Sequence, residues 1–387
     1  MFSMCGIISS LLLSILITRL LSVESRGELQ FYLTGAQAAV LFGSFGIPFA
    51  RALIEARENI VLSNDSDLFF ILPSVIFFSY VYSSFYHIEF DSIIYTLLVI
   101  SFLIYLYALE RTKNARHLEL YSKLYVVNPL IIMFVFYMMW LNFIDITIEV
   151  VLFSYVISNI LSSAFWYLRN KGKSKFGKKL GIRTIAIKIW VNNIFSYFAN
   201  NIDKLVVFKV LSITEVSVYY VLFSLASIIN KVFERISVNI LGMFQAGNID
   251  VKWLIKWLNV TTVFFIPLIY LTITNVGNTL IIFIFGKEYS GYPNVLFYIV
   301  ISSIFTSYSW MLAQRLLADL NILANSIRTV GSTFVFILAL VCFSFIHEVD
   351  ISNVALSYLL ACIYRYISTL ILVFYYEKVK EKIIIHS

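Results

Sequence analysis

The sequence predicts an all-α, polytopic membrane protein with about twelve transmembrane helices. Hydrophobic residues fill 60% of its 387 positions and charged residues only 13%, which is far from the composition of a soluble domain. A helix of about 20 apolar residues crosses the hydrocarbon core, and runs of this length recur along the chain. An open sheet is excluded because lipid cannot satisfy its edges, and the alternating pattern of a membrane barrel is absent.

Twelve apolar runs separated by charged or turn-forming stretches define the predicted spans. Their ranges are 2–21, 29–54, 68–86, 91–109, 121–142, 147–168, 184–208, 215–241, 252–275, 292–314, 323–346 and 351–376. In the second span, Gly35, Ala39 and Gly43 favour close helix packing, and Gly46 with Pro48 predicts a bend. The prolines of the fifth and ninth spans predict kinks by the same reasoning.

The distribution of lysine and arginine predicts the orientation. Most of the 29 basic residues fall on one side, namely Arg51, Arg57, Arg111, Lys113, Arg116, Lys123, Arg169, Lys171, Lys173, Lys175, Lys178, Lys179, Arg183, Lys188, Lys252, Lys256, Arg315, Arg328, Lys378, Lys380 and Lys382. The positive-inside rule then places both termini in the cytoplasm, in agreement with an even number of spans. The net charge of +7 is explained by this topology, so we do not expect a nucleic-acid partner.

A basic loop at 169–183 divides the chain into two halves of six spans. We therefore expect an N-terminal bundle at 1–168 and a C-terminal bundle with a short cytoplasmic tail at 184–387. Both halves enter the membrane from the same side, so a duplication would be parallel. A faint repeat at the ends of the first and seventh spans, Arg19-Leu20-Leu21-Ser22 and Lys209-Val210-Leu211-Ser212, is consistent with it.

The eighth span carries a polar stripe on one helix face. The stripe consists of Ser217, Tyr220, Ser224, Ser227, Lys231, Glu234, Arg235, Gly242 and Gln245. At about 100° per residue these positions share one side, and the other faces are almost wholly apolar. Residues 216–229 would measure only about 21 Å, so the span must continue through the charged residues. Alternatively, these charges reach the cytoplasmic headgroups and 236–244 lies outside the core.

Two further spans carry polar residues at helical spacing. The seventh contains Asn193, Ser196, Asn200, Asp203 and Lys204, and the twelfth contains Tyr358, Cys362, Arg365, Tyr366 and Thr369. Ionisable residues inside a membrane are costly and indicate a water-accessible pathway. The alternatives are a structural ion pair for Asp203 and Lys204, and helix packing or an inner-leaflet anchor for Arg365.

No catalytic signature is present. The chain has no HExxH, GxSxG or Walker motif, no carboxylate pair within one span and no metal-ligand cluster. All loops apart from the basic one are short, which leaves no room for a soluble catalytic domain. We therefore do not expect an enzyme.

Several short motifs point to a known family. They are Arg19-Leu20-Leu21-Ser22 with Arg26-Gly27-Glu28, Asn201-Ile202-Asp203-Lys204, Glu215-Val216 with Tyr219, and Phe285-Gly286-Lys287-Glu288-Tyr289. In this order they resemble motifs of the Wzx-type polysaccharide biosynthesis flippases, of the multidrug/oligosaccharidyl-lipid/polysaccharide exporter superfamily. The chain departs from that pattern at Ser22 and Ser217, where relatives often have glycine.

The resemblance implies two six-helix bundles around a central cavity. It also implies transfer of undecaprenyl-pyrophosphate-linked polysaccharide repeat units, such as O-antigen, across the bacterial cytoplasmic (inner) membrane by alternating access. Arg19 and Arg51 resemble cavity arginines of lipid-linked flippases by motif position. From the stripes we add, as substrate-binding candidates, Lys231, Arg235, Arg365 and Lys204. Asp203 and Glu234 are candidates for carrying a coupling proton or sodium ion, and no other cofactor is expected.

The expected partners are the lipid-linked oligosaccharide, membrane lipids, and a polysaccharide polymerase with its chain-length regulator. The nearest alternative function is a multidrug/cation antiporter of the same superfamily, which would favour a carboxylate-rich cavity. A membrane polymerase would usually present a long outer loop, which is absent. A scaffold protein would not need three ionisable residues in one span.

Overall fold

The chain folds into α-helices throughout its described parts. The computed structural model describes the backbone of residues 2–58, 67–86, 92–112, 118–141, 145–170, 182–245, 250–318, 322–346 and 348–386. These ranges contain thirteen α-helices and one short 3-10 helix, and they contain no strand. The predicted all-α class is therefore confirmed.

All but one of the predicted spans correspond to a single helix. The helices are α1 (Phe2–Leu20), α2 (Val23–Gly43), α3 (Ile47–Glu58), α4 (Asp67–Tyr86), α5 (Ser92–Thr112), α6 (Leu118–Leu141), α7 (Ile148–Asn170), α8 (Ile182–Val210), α9 (Ile213–Gln245), α10 (Val251–Ile284), α11 (Pro293–Ala318), α12 (Ile322–Ser344) and α13 (Ile351–His386). Side-chain caps start several of them; for example, Ser22 Oγ accepts from Ser25 N at 3.1 Å, and Asp250 Oδ1 accepts from Lys252 N at 2.9 Å.

Most of these helices are suited to a membrane. Within the described ranges, eight helices are long and apolar enough to cross, or nine if α2 and α3 form one bent span. The apolar parts of α1 and α6 are shorter, at Cys5–Leu20 and Lys123–Met139. By contrast, α9 has 33 residues, or about 50 Å at 1.5 Å per residue, and so exceeds a hydrocarbon core of about 30 Å.

The bend predicted at Gly46 and Pro48 in the second span is present, as a break of the chain between α2 and α3. The two helices meet at an angle of 66°. Phe45 and Gly46 both adopt the left-handed conformation, with φ of 48° and 69°, and two such residues in succession turn the chain out of the helix. The Trp190 indole nitrogen donates to the carbonyl oxygen of Phe42 at 2.9 Å, so the start of α8 packs against this break.

Residues Met1–Ile194 form one compact unit. In it, α2 packs against α4 and α5, α1 packs against α6, and α7 packs against α5 and α6. Side-chain hydrogen bonds join α5, α6 and α7: Asn128 Nδ2 donates to Asn159 Oδ1 at 3.0 Å, and the buried Asn159 Nδ2 donates to Ser101 Oγ at 3.2 Å. Hydrogen bonds of this kind satisfy polar groups that lipid cannot.

Residues Phe195–Ser387 form a second compact unit. Its central helix is α11, which packs against α9, α10, α12 and α13. Asn230 of α9 donates to Ser303 Oγ at 3.3 Å and accepts from Ser307 Oγ at 3.0 Å, which fixes α9 against α11. The motif that begins at Phe285 forms the connection between α10 and α11, where Tyr289 is buried.

The division between the units falls within α8. The predicted linker at 169–183 remains a prediction, because residues 171–181 lie outside the described part of the chain. The predicted bundles at 1–168 and 184–387 likewise remain predictions.

We expect Gly43→Ala to destabilise the protein by about 1–3 kcal/mol, because overpacking strains the backbone. A Cβ atom at this position would lie 2.5 Å from the Cα atom of Val75, so α2 and α4 would have to separate. Thermal unfolding in detergent measures the change.

Gly277→Ala is the matched control. Its nearest new contact is the Ile273 Cγ2 atom at 3.2 Å, a side chain one turn away on the same helix. We expect little change in the unfolding temperature there. Equal losses in the two variants would contradict the close approach of α2 and α4.

Candidate functional site

The polar stripe of α9 becomes more exposed along the helix. Ser217 and Tyr220 are buried, Ser224, Ser227 and Lys231 are partly buried, and Glu234 is exposed. The two middle serines donate to backbone carbonyls of their own helix, Ser224 Oγ to Val221 and Ser227 Oγ to Ser224, each at 2.7 Å. The stripe therefore begins inside the C-terminal unit and emerges at its charged end.

Lys231 is the partly buried charge at the point where the stripe emerges. It forms no hydrogen bond or close ion pair with the residues that the structure describes. Glu234 lies one turn further along and contributes a favourable charge. Arg235 belongs to the same helix, but its side chain lies outside the described residues. Lys231 thus remains available to bind an anion.

Asp203 lies at the centre of the C-terminal unit with no exposed surface. The Tyr219 hydroxyl donates to Asp203 Oδ2 at 2.6 Å, whereas Oδ1 makes no hydrogen bond within the described part. A buried carboxyl group with one unbonded oxygen is unusual, since such groups are costly to desolvate. Its free oxygen can take a proton or a cation.

Lys204 follows directly in sequence but its ammonium group points elsewhere. Its Nζ atom donates to Asn201 Oδ1 at 2.9 Å and to the carbonyl of Asn200 at 3.5 Å, and it lies 3.9 Å from the ring centroid of Phe223. These neutral oxygens and the aromatic face stabilise the partly buried cation. Among the described residues, Lys204 and Asp203 form no close ion pair with neighbouring helices.

Arg365 is buried between three helices, with 1% of its surface exposed. It donates to the Ala199 carbonyl and to Asn200 Oδ1 at 2.6 Å, both on α8, and to Ser332 Oγ at 3.3 Å on α12. All of these acceptors are neutral. These bonds hold α13 against α8, the helix that also carries Asp203.

Arg328 is a buried cation that the sequence pattern placed with the cytoplasmic-side residues. It is 4% exposed within α12 and donates to Ser309 Oγ at 2.7 Å. Ser309 in turn shares a hydrogen bond of 2.8 Å with Thr369 of α13. The only sequence signal for this position is the run of hydroxyl residues that follows Arg328, which includes Thr329 and Ser332.

The N-terminal unit holds Arg51 in a buried ionic network. Arg51 Nη1 lies 3.1 Å from Asp67 Oδ2, and Arg51 Nε lies 3.8 Å from Glu55 Oε1. Arg111 binds the same Glu55 carboxylate through two nitrogens, at 2.9 and 2.6 Å. The spacing of Arg51 and Glu55 was a detectable signal, but pairing with Asp67 and Arg111 depends on the fold.

Arg19 lies at the exposed end of α1, apart from this network in sequence. Nearby Arg26 is buried instead, and its Nε atom donates to Thr18 Oγ1 at 3.2 Å. With a flipped side-chain amide, Gln30 also accepts from Arg26. Among the described residues, no group of three or more potential metal ligands was found.

The structure resembles solved transporters along nearly its whole length. The lipid II flippase MurJ in an inward closed conformation matches with a TM-score of 0.73 and 14% identity, over 96% of this chain and 87% of that one. Inward- and outward-facing structures of a multidrug resistance MATE family transporter of the MOP superfamily each match with a TM-score of 0.69. Their identities are 9% and 10%, and they cover 97% and 98% of this chain and 96% and 95% of their own.

Sequence comparisons add no closer relative: no protein-family model and no curated protein matches this chain. Identities this low relate the folds and say nothing by themselves about the transported molecule. The chain has the fold shared by MurJ and the MATE proteins.

Proposed function

We propose that this protein is a flippase for lipid-linked oligosaccharides. Its substrate would be an undecaprenyl-pyrophosphate-linked polysaccharide repeat unit. The protein would lie in the bacterial cytoplasmic membrane, with both termini in the cytoplasm. The observation that carries the proposal is the polar face of α9, where the partly buried Lys231 has no hydrogen bond or close ion pair with the described residues. The fold shared with a lipid II flippase supports it.

The chemistry of the substrate explains why such a face is needed. Moving a glycan hydroxyl group into hydrocarbon without a hydrogen bond costs several kcal/mol of transfer free energy. A polar helix face offers replacement partners, while the lipid tail stays in the bilayer. Cationic side chains compensate the charge of the pyrophosphate.

The proposed phosphate-binding residues lie in both units. Lys231 and Arg235 are the first contacts in the C-terminal unit, and Arg19 and Arg51 serve the N-terminal unit. Lys204 and Arg365 donate to neutral oxygens of α8. We therefore propose that they attract the phosphate through their positive charge and do not contact it directly. Alternating access would carry the head group between leaflets.

For coupling, we propose that Asp203 carries the driving ion, a proton or sodium. Its unbonded Oδ1 atom supports this choice over Glu234, which is exposed at the end of the stripe. Covalent chemistry is not part of the proposal. A polymerase and a chain-length regulator would act on the product, as in O-antigen assembly.

A multidrug antiporter is the second candidate, because MATE transporters share the fold. A site for cationic drugs needs exposed or unpaired acids. Glu55 binds two arginines instead, and the unbonded Oδ1 atom of Asp203 is the one that we assign to the coupling ion. Within the described residues this balance favours an anionic head group.

We expect Lys231→Ala and Arg235→Ala each to slow flipping at least about tenfold, since a charged hydrogen bond contributes about 1.5–3 kcal/mol. Protein levels should remain normal. Flipping of a fluorescent undecaprenyl-pyrophosphate oligosaccharide in proteoliposomes measures the rate.

Lys256→Ala is the control, because it removes the same charge from an exposed position on the same predicted side. Its rate should match that of the unmodified protein. Unchanged flipping in the Lys231→Ala/Arg235→Ala double variant would show that the stripe does not bind the substrate.

We also expect Asp203→Asn to remove the stimulation of flipping by an imposed proton or sodium gradient. The amide keeps the shape of the side chain but cannot exchange a proton or carry the charge. Glu234→Gln is the comparison and should retain the stimulation. If Asp203→Asn kept the stimulation and Glu234→Gln lost it, Glu234 would be the residue that carries the coupling ion.

A further inference from the structure

The ionic network formed by α3, the start of α4 and the end of α5 contains two acids in different environments. We call Arg51, Glu55, Asp67 and Arg111 the Arg51 cluster. Glu55 is 4% exposed, whereas the side chain of Asp67 is 37% exposed. This difference separates a permanent contact from an exchangeable one.

Glu55 is the permanent partner. Its carboxylate accepts two hydrogen bonds from Arg111, whose guanidinium carbon lies 4.5 Å from the ring centroid of Trp166 and 5.8 Å from that of Tyr107. Breaking a buried, bidentate and stacked pair leaves charges without solvent. Most of the Glu55 charge is therefore committed to Arg111, and the Arg51 Nε atom lies farther away, at 3.8 Å from Glu55 Oε1.

Asp67 is the exchangeable partner. It reaches Arg51 through Oδ2 at 3.1 Å from the first turn of α4. Ion pairs that water can reach contribute little to stability. A carboxylate in the first turn also keeps the favourable field of the helix after it leaves its partner. Breaking the ion pair between Asp67 and Arg51 therefore costs little free energy.

A phosphate group is the natural competitor for Arg51. It carries more charge than a carboxylate, and its oxygens match the planar fork of arginine. We infer that Asp67 occupies the Arg51 anion site in the resting protein and that a phosphate group of the substrate displaces it. Asp67 thereby sets the affinity of this site. The inference rests on the proposed function and deepens it.

The test uses the full chain in nanodiscs and inorganic pyrophosphate as the probe, followed by isothermal titration calorimetry. We expect Asp67→Asn, which keeps the size of the side chain, to tighten binding about tenfold by removing the competing charge. Asp67→Ser should act in the same direction. The Arg51→Gln/Asp67→Asn double variant should lose the gain.

Asp145→Asn is the matched control, because it removes an equal charge from an exposed position before α7. It should leave the affinity for pyrophosphate unchanged. An affinity equal to that of the unmodified protein in both Asp67 variants would overturn the inference. So would a gain that persists without Arg51.

The same preparations separate this inference from the proposed function. If the unmodified protein flips the lipid-linked oligosaccharide while Asp67→Asn binds pyrophosphate no more tightly, only the role of Asp67 is wrong. If Asp67→Asn tightens binding but no variant flips the substrate, the anion site stands and the flippase proposal fails.

Discussion

A charge inside an apolar helix bundle is stable only where oxygen atoms or an opposite charge reach it. This constraint explains the surroundings of the buried arginines in both units. Arg365 is held by the carbonyl and amide oxygens of α8, and Arg111 by the carboxylate of Glu55. These contacts join helices that are far apart in sequence. In each unit, the contacts that compensate the charges therefore also fix how the helices pack.

Lys231 departs from that rule, and function is the simplest reason. It is partly buried on the polar face of α9, next to an asparagine that fixes the helix to α11, and no described acid pairs closely with it. A site that must bind and release a charged head group cannot compensate its own cations permanently. Asp67 is intermediate between these two cases. Its carboxylate compensates the charge of Arg51 but can be displaced by another anion.

Sequence periodicity was sufficient to predict the helices, because apolar runs such as those of α11 and α13 have few alternatives in lipid. It could not predict the break after α2. Gly46 and Pro48 indicated a bend, but the left-handed Phe45 depends on packing with Trp190 from a distant helix. Candidate charges could be named from their spacing, whereas their partners could not. The burial of Arg328 depends on a serine of α11, which no local pattern reveals.

The central claim is that the protein carries lipid-linked repeat units across the membrane. The most direct test is to measure, in cells that lack the protein, in which leaflet of the membrane these repeat units lie. The distribution can be measured with a membrane-impermeant enzyme that labels or cleaves the exposed glycan. The account predicts that the repeat units accumulate in the cytoplasmic leaflet, protected from the enzyme. Accumulation in the outer leaflet, accessible to the enzyme, would contradict it and point to a role after flipping.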